Sequence, residues 1–511
     1  MALLRFLIAL HQPRPNSGDY FANAESLIGV LEEAARRAAG KPAVVFAPSF
    51  SLEGPQGAES LAMPAFAKAR AQALAMVTAA AKRTGVSVAL PIAAKSSHCA
   101  PILIAGGAVR PIGAAGEPIF EEDGPMLRLC ESDRVSCAER GAILWDWQRL
   151  DEPFAEAREP ELAEGGAFVR TNLGGGEGEH VYRGASAVMA PGVEHAAARY
   201  EADALFVQAE FEDGALTLAA EAAHATASPM DLPSDEKLAG IIAAIRDYAS
   251  DCGVEGVVLG VSGGIDSALL AACAVAALGA DRVTGFGLAS RYTSEESRAL
   301  ACELAANLGL RHFAVRSIEA MHALALKDYA EDLGELSTGE IADQNIQARL
   351  RALRLMAYAN KFNRLLLCTS NKGEAAMGYG TLYGDITGGF APIVDLWKRE
   401  VVAAARAFNA WQGREVIPEA LICREPTAEL RPGQKDSDSL PPYDEIERAI
   451  GEATAGKDLT DDESAKAIVA KAARFAFKRR QAPAGLVLSA DPLAKFDAVM
   501  GLNRKTCWPK R

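Results

Sequence analysis

Residues 256–279 read GVVLGVSGGIDSALLAACAVAALG. An apolar β-branched run, a loop of small residues and a long Ala/Leu segment follow one another without interruption. This is strand, glycine loop and helix in succession. DRVTGFGLAS and RLLLCTS further on read as more strands, each leading into a loop and then a helix. Such units fold as a doubly wound parallel sheet, with the site in the loops at the carboxyl ends of the strands.

The rest of the 511-residue chain is too long for one core and suggests two to four domains. From Leu3 to about Glu212, short apolar runs alternate with helical patterns. LRFLIAL, AVVFAP, VSVALPIA, APILIAG, GAILWDW and ALFVQAEF read as strands; Ala24–Arg37 and Ala65–Arg83 read as helices. The polar, proline-bearing stretch ATASPMDLPSDEK ends in a helix N-cap signal at Ser234 to Glu236. The expected organisation is therefore a layered α/β domain over 1–225, a linker over 226–237 and the parallel α/β domain over 238–511.

A formal charge of −14 argues against a sequence-independent nucleic-acid binder. The nine cysteines are scattered singly with no CxxC pair, which points to a reduced, cytoplasmic protein without a zinc site. No apolar run reaches the ~18 residues of a membrane span. The start, MALLRFLIALHQP, reads as a first strand rather than a signal peptide.

The SGGIDS loop carries the chemistry. A glycine-rich loop at a helix N-terminus offers backbone N–H groups and the positive end of the helix dipole to an anion. Gly260, Ser262, Gly263, Gly264, Ile265 and Ser267 provide close approach and hydroxyl donors. A Walker loop would add a lysine; here Asp266 stands in that place. An acidic residue among phosphates implies Mg²⁺ bridging phosphate oxygens. The loop thus suits a Mg²⁺-bound pyrophosphate leaving group, which means adenylation of a substrate oxygen by ATP. Taken alone, the glycines also fit a tight strand-to-helix turn that needs them for steric reasons.

The longer segments go further. SGGIDS resembles the pyrophosphate loop of the N-type ATP pyrophosphatases. RYTSEES (291–297), ADQNIQARLR (342–351), TSNKGEAAMGYGTLYGDITGGFAPI (369–393), PTAELRPGQKDSDSLPPYDE (426–445) and FKRRQAPAG (477–485) resemble NAD⁺ synthetase, in order across 238–485. The resemblance implies a Rossmann-like ATP-pyrophosphatase domain. Its reaction makes NAD⁺, AMP and pyrophosphate from nicotinic acid adenine dinucleotide, ATP and ammonia. It also implies that residues 260–267 and Thr369 hold ATP, and that Asn345, Arg349 and Lys478 contact the dinucleotide. Asp266 and Glu374 fall where Mg²⁺ ligands or substrate contacts occur. Asp385 falls near the nicotinate end, in a general-base role toward ammonium. Family members are at least homodimers. Ala289, Val394 and Ala476 depart from a common proline, lysine and glutamate, and none of the three removes a group that adenylation needs.

Residues 3–212 resemble, in outline, the αββα sandwich of the nitrilase superfamily, which releases ammonia from glutamine with a Glu–Lys–Cys triad. LIALHQPRPNSGDYFANAESLI and FVRTNLGGGEGEHVYRGASAVMAPG (168–192) carry that likeness, and MLRLCESD puts Cys130 at the nucleophile position. Ser49 stands where the glutamate belongs, with Glu53 four residues on. No lysine occurs from 96 to 236, where Arg110 is the cation nearest the expected place. The expectation is a vestigial amidase site at Ser49 and Cys130 and an ammonia-using enzyme. The alternatives are a glutamine-hydrolysing enzyme with substitutes such as Glu53 and Arg110, and a non-catalytic regulatory or scaffold subunit. The intact SGGIDS, TSNKGE and YGD segments speak against the last.

Overall fold

The computed structural model describes residues 3–14, 16–55, 63–95, 98–112, 117–120, 125–129, 141–147, 162–225, 229–334, 336 and 339–500. The chain divides into two compact units, residues 1–177 with 181–231, and residues 178–180 with 232–511.

The first unit is built on Leu4–Gln12. This strand pairs antiparallel with Asp203–Glu212 and parallel with Ala43–Phe46, inside a seven-stranded mixed sheet. Residues 6–10 are all buried, because both faces of the sheet are covered. Successive side chains alternate between faces. Leu7 and Ala9 join Leu27, Leu31 and Val77 of the helices Tyr20–Ala38 and Pro64–Thr84. Phe6, Ile8 and Leu10 join Ile143, Trp145 and Val169 of a second, six-stranded sheet. The α, β and β layers of the expected αββα sandwich thus lie within the described residues. At the centre of the double sheet, the Trp145 ring meets Phe46 edge to face at 5.6 Å and its Nε1 donates to Thr171 Oγ1 at 3.1 Å.

The second unit holds a four-stranded sheet in the order His312–Ser317, Val283–Ala289, Gly256–Gly260, Arg364–Leu366, parallel throughout. The first strand in sequence lies between the second and the fourth. The chain therefore winds away on both sides of Gly256–Gly260, and a crevice opens at that strand's carboxyl end. The helices Glu236–Asp251 and Ile265–Leu278 bury more than half of their residues. A separate apolar cluster joins Ile446, Ala449 and Ile450 of Tyr443–Thr454 to Ala465 and Ile468 of Glu463–Arg474. The edge strand His312–Ser317 carries almost no buried side chain, so its sequence, HFAVRS, shows no apolar run of the kind that marks the inner strands.

Truncating the central tryptophan removes packing that nothing nearby can replace. Trp145→Ala should cost about 3–5 kcal/mol, read as a lower denaturant midpoint for the full chain.

Candidate active site

The loop after Gly256–Gly260 is shaped by its own side chains. Ser267 Oγ accepts from Ser262 N at 3.2 Å and donates to Gly264 O at 3.0 Å, and Ser262 Oγ accepts from Gly264 N at 3.2 Å. Gly263 has φ +83°, and a Cβ there would run into the backbone of Ser297. The helix Ile265–Leu278 starts at Gly264 with no side-chain cap, so its first N–H groups face the crevice.

Asp266, in the first turn of that helix, organises the acidic end of the site. Lys398 Nζ donates to its Oδ2 at 2.6 Å and Asn371 Nδ2 to its Oδ1 at 3.0 Å. Asn371 also caps Lys372–Met377: its Oδ1 accepts from Glu374 N at 3.0 Å, and Glu374 Oε2 accepts from Asn371 N at 3.1 Å. Burial pushes the Glu374 carboxyl well above the usual carboxylate range; Asp266 adds to this and Lys398 opposes it. Burial works against the charge on Lys398, yet Asp266 and Glu374 outweigh it and hold that amine above its ordinary value. Asp436 accepts from Tyr379 at 3.2 Å and Tyr443 at 2.9 Å, and burial raises it too.

This donor set fits a hard divalent cation. Asp266 and Glu374 bring two carboxylates together, and their mutual repulsion is what a cation relieves. Among the described residues no three His, Cys, Asp or Glu side chains are placed to hold a metal ion by themselves. Two protein carboxylates with phosphate and water completing the shell is the arrangement Mg²⁺ favours.

A buried polar node holds this end in place. Lys372 Nζ pairs with Asp395 Oδ1 at 2.8 Å and donates to Ser489 Oγ at 3.1 Å and Asp491 O at 2.8 Å. Asp395 Oδ2 accepts from Leu488 N and Ser489 Oγ, both at 2.8 Å. Lys372 adjoins Asn371, and Asp395 lies three residues before Lys398. One ion pair therefore fixes both segments that converge on Asp266.

The cavity extends about 580 Å³ from the loop toward a second group of residues. Asp385 Oδ1 accepts from Thr381 N at 2.8 Å, and Thr381 Oγ1 donates to Asn345 Oδ1 at 2.7 Å. Lys478 Nζ donates to the carbonyls of Gly378 at 2.8 Å and Gly380 at 2.6 Å. Burial raises the Asp385 carboxyl, against the pull of the Thr381 N–H and of Lys478. Burial lowers Lys478, and Asp385 opposes that shift.

Of the residues singled out by sequence, Gly260, Ser262, Gly264, Ile265, Asp266, Ser267, Asn345, Thr369, Glu374, Asp385 and Lys478 line this one cavity. Gly263 lies buried behind the loop. Arg349 is exposed, donates to Leu382 O at 3.2 Å and does not line the cavity. Sequence reasoning missed Lys398, Asp436, Arg351, Arg424 and Glu429, which all line it. Arg424 donates to Ser297 Oγ at 2.6 Å and to Glu429 at 3.1 Å, and Glu429 holds a positive φ of 48°. Arg351, Glu429 and Asp436 lie inside segments that carry the family resemblance but were not singled out there, whereas Lys398 and Arg424 lie outside every such segment.

In the first unit, Ser49 and Glu53 are buried. Glu53 Oε1 accepts from Ala93 N at 3.2 Å, and Oε2 is buried without a hydrogen-bond partner among the described residues. Burial raises this carboxyl. Cys99, which sequence reasoning passed over, lies beside Ser49 and Glu53. Burial, with Glu53 adding to it, pushes its thiol to about 12. Arg110 sits in the strand Ala108–Pro111 opposite Leu103. Cys130 lies outside the described residues.

The parallel sheet, the glycine loop without a Walker lysine and the paired carboxylates meet in one cavity of an α/β unit. Residues 237–482 match the family model described as NAD synthase. The chain is 43% identical over 226 residues to a glutamine-dependent NAD(+) synthetase of Thermotoga maritima, covering 44% of this chain and 38% of that protein. It is 39% identical over 297 residues to one of Rhodobacter capsulatus, covering 57% of this chain and 53% of that protein. The matched region thus spans about half or less of these relatives' own lengths. In fold, it resembles the glutamine-dependent NAD+ synthetase of Acinetobacter baumannii, solved with ADP, at TM-score 0.64 and 24% identity, over 96% of this chain and 97% of that one. It also resembles that of Cytophaga hutchinsonii, at TM-score 0.66 and 17% identity, over 98% of this chain and all of that one.

The Lys372–Asp395 node yields a stability prediction. Asp395→Ala, which strands a buried ammonium, should cost about 3–5 kcal/mol. The double variant Lys372→Met with Asp395→Leu should cost clearly less. Equilibrium denaturation of the three proteins checks the ordering.

Proposed function

We propose that the protein is an NAD⁺ synthetase, a ligase that amidates nicotinic acid adenine dinucleotide at the expense of ATP, releasing AMP and pyrophosphate. The observation that carries this reading is a single cavity with a phosphate loop and acidic pair at one end and Asp385 at the other. The Gly260–Ser267 loop and Thr369 bind ATP, and Lys398 reaches the phosphates together with Asp266. Asp266 and Glu374 would hold Mg²⁺, which would supply positive charge beside the pyrophosphate leaving group. Asn345 and Lys478, which line the cavity, hold the dinucleotide, and Arg349 can reach only a part of it that lies outside. A carboxylate does not yield an oxide leaving group to ammonia at neutral pH. Its oxygen therefore attacks the α-phosphorus first, and AMP then leaves from the mixed anhydride. The chain's part is positioning and charge stabilisation. Asp385 takes a proton from the incoming ammonium, which frees the nucleophilic lone pair.

Ammonia is the nitrogen source in this reading. Ser49 cannot act as a base, no lysine is available from 96 to 236, and Cys99 is held as a thiol by its burial. The first unit then persists for assembly. Its domain span is 1–225, followed by the linker 226–237. A homodimer or larger homo-oligomer is supported by the exposed apolar side chains Leu324, Leu333, Ile341 and Leu353 on the helices Glu319–Leu333 and Ile341–Lys361. A cytoplasmic setting is supported by free cysteines at positions 99, 252, 273, 302, 368 and 423. No helix among the described residues is long and apolar enough to cross a membrane.

The test is NAD⁺ formation with ammonium or glutamine as sole nitrogen source. Ammonium should support turnover and glutamine almost none, with Cys130→Ala leaving the ammonium rate unchanged. Efficient use of glutamine that Cys130→Ala abolishes would make the first unit a live amidase. Asp266→Asn should abolish NAD⁺ formation in a folded protein.

The raised Asp385 carboxyl sets the pH profile. Its ionised form is the working base, so turnover should fall as pH drops through a value above the ordinary ~4. Asp385→Asn should lower the rate by about 10²-fold or more and flatten that acid limb. An unchanged limb in the variant would remove the base role.

A further inference from the structure

The helix Ile341–Lys361 presents one face to the cavity: Gln344, Asn345, Ala348, Arg351, Ala352 and Leu355 all line it, at helical spacing. Arg349 falls off this face and Arg351 falls on it. Arg351 Nε donates to Leu288 O at 2.8 Å, near the carboxyl end of the strand Val283–Ala289. That bond fixes the guanidinium and leaves the terminal nitrogens for other partners. Of the other cations lining the cavity, Lys398 holds Asp266, Arg298 holds Glu295 and Arg424 holds Glu429, while Lys478 is held by two backbone carbonyls. Among the described residues no carboxylate pairs with Arg351, which feels Asp385, Glu429 and Glu319 only through space. Burial lowers it to about 10, so it stays protonated at neutral pH. A buried charge is costly unless paired, and here the pairing anion has room to come from the cavity.

We propose that Arg351 is a further catalytic residue whose guanidinium binds the α-phosphoryl group of ATP and stabilises its transfer. This rests on the NAD⁺ synthetase reading of the same cavity and deepens it. Asp266 and Lys398 serve the leaving pyrophosphate, while Asp385 and Lys478 lie at the acceptor end. Arg351 is tied to the strand beside Gly256–Gly260, and Asp385 is the foremost charge acting on it. That places it where the acceptor carboxylate meets the α-phosphorus. In the step, a carboxylate oxygen forms the new O–P bond. The bond from the α-phosphorus to the bridging oxygen breaks, and pyrophosphate leaves with the electron pair. Negative charge on the two non-bridging α-oxygens is held throughout by a planar fork suited to them.

Calorimetric titration of the full chain with AMP and with adenosine isolates this contact, since AMP lacks the phosphates that the SGGIDS loop would hold. The wild type should bind AMP at least tenfold more tightly than adenosine. Arg351→Met should bring the two within about twofold with adenosine binding unchanged. Arg351→Lys, which keeps the charge and loses the fork, should fall between, and Asp266→Asn should keep the wild-type ratio. Arg351→Met should also lower kcat for NAD⁺ formation by about 10²–10³-fold. An AMP preference that survives in Arg351→Met, or one absent from the wild type, overturns the proposal. If Arg351→Met does not fold, an unchanged ratio in Arg351→Lys overturns it equally. An AMP preference lost in the variant, in a wild type that forms no NAD⁺, leaves the anion subsite standing and sinks the functional reading instead.

Discussion

The contact between Asp266 and Lys398, 2.6 Å long and 132 residues apart in sequence, is the constraint around which the second unit is arranged. Asp266 stands where a phosphate loop ordinarily carries a cation, at the helix end that already favours negative charge. Glu374 lies close enough that its own carboxyl is pushed upward. Two carboxylates in a partly dry crevice repel, and a single lysine offsets this only in part. What remains is a site with excess negative charge at the mouth of an anion-binding loop, a combination that a divalent cation and a polyphosphate satisfy together.

Holding that arrangement requires rigidity, which comes from elements far apart in the chain. The parallel order of the sheet brings the loop after Gly256–Gly260 beside the ends of Val283–Ala289 and Arg364–Leu366. The short helix Lys372–Met377 follows directly from the latter and contributes Asn371 and Glu374. The buried Lys372–Asp395 pair then locks this helix to the segment that leads into Lys398. Buried ion pairs add little net stability. Here the pair specifies geometry, because both of its residues sit next to groups that touch Asp266.

How much of this the sequence disclosed follows from how local each signal is. The inner strands of both units were legible because burial on both faces leaves unbroken apolar runs such as GVVLG and LRFLIAL. The edge strand His312–Ser317 was not, since an exposed edge needs no such run. The phosphate loop was legible because its glycines, serines and aspartate are consecutive. Lys398 was not, for its partner lies on another element and nothing around WKRE marks it. Arg349 and Arg351 differ by two positions, and only the phase of the helix shows which one faces the cavity. In the first unit, the neighbourhood of Cys99, Ser49 and Glu53 joins the loop after Ala43–Phe46 to a strand two places away in the sheet, which one-dimensional spacing does not reveal.

The central claim is that a carboxylate oxygen attacks the α-phosphorus and is carried away on AMP. Nicotinic acid adenine dinucleotide labelled with ¹⁸O in its carboxylate, turned over with ATP and ammonium, tests this directly by mass spectrometry of the products. The expected result is one ¹⁸O atom in the phosphate of each AMP, with unlabelled pyrophosphate. Label in pyrophosphate or in inorganic phosphate, with AMP unlabelled, would contradict it.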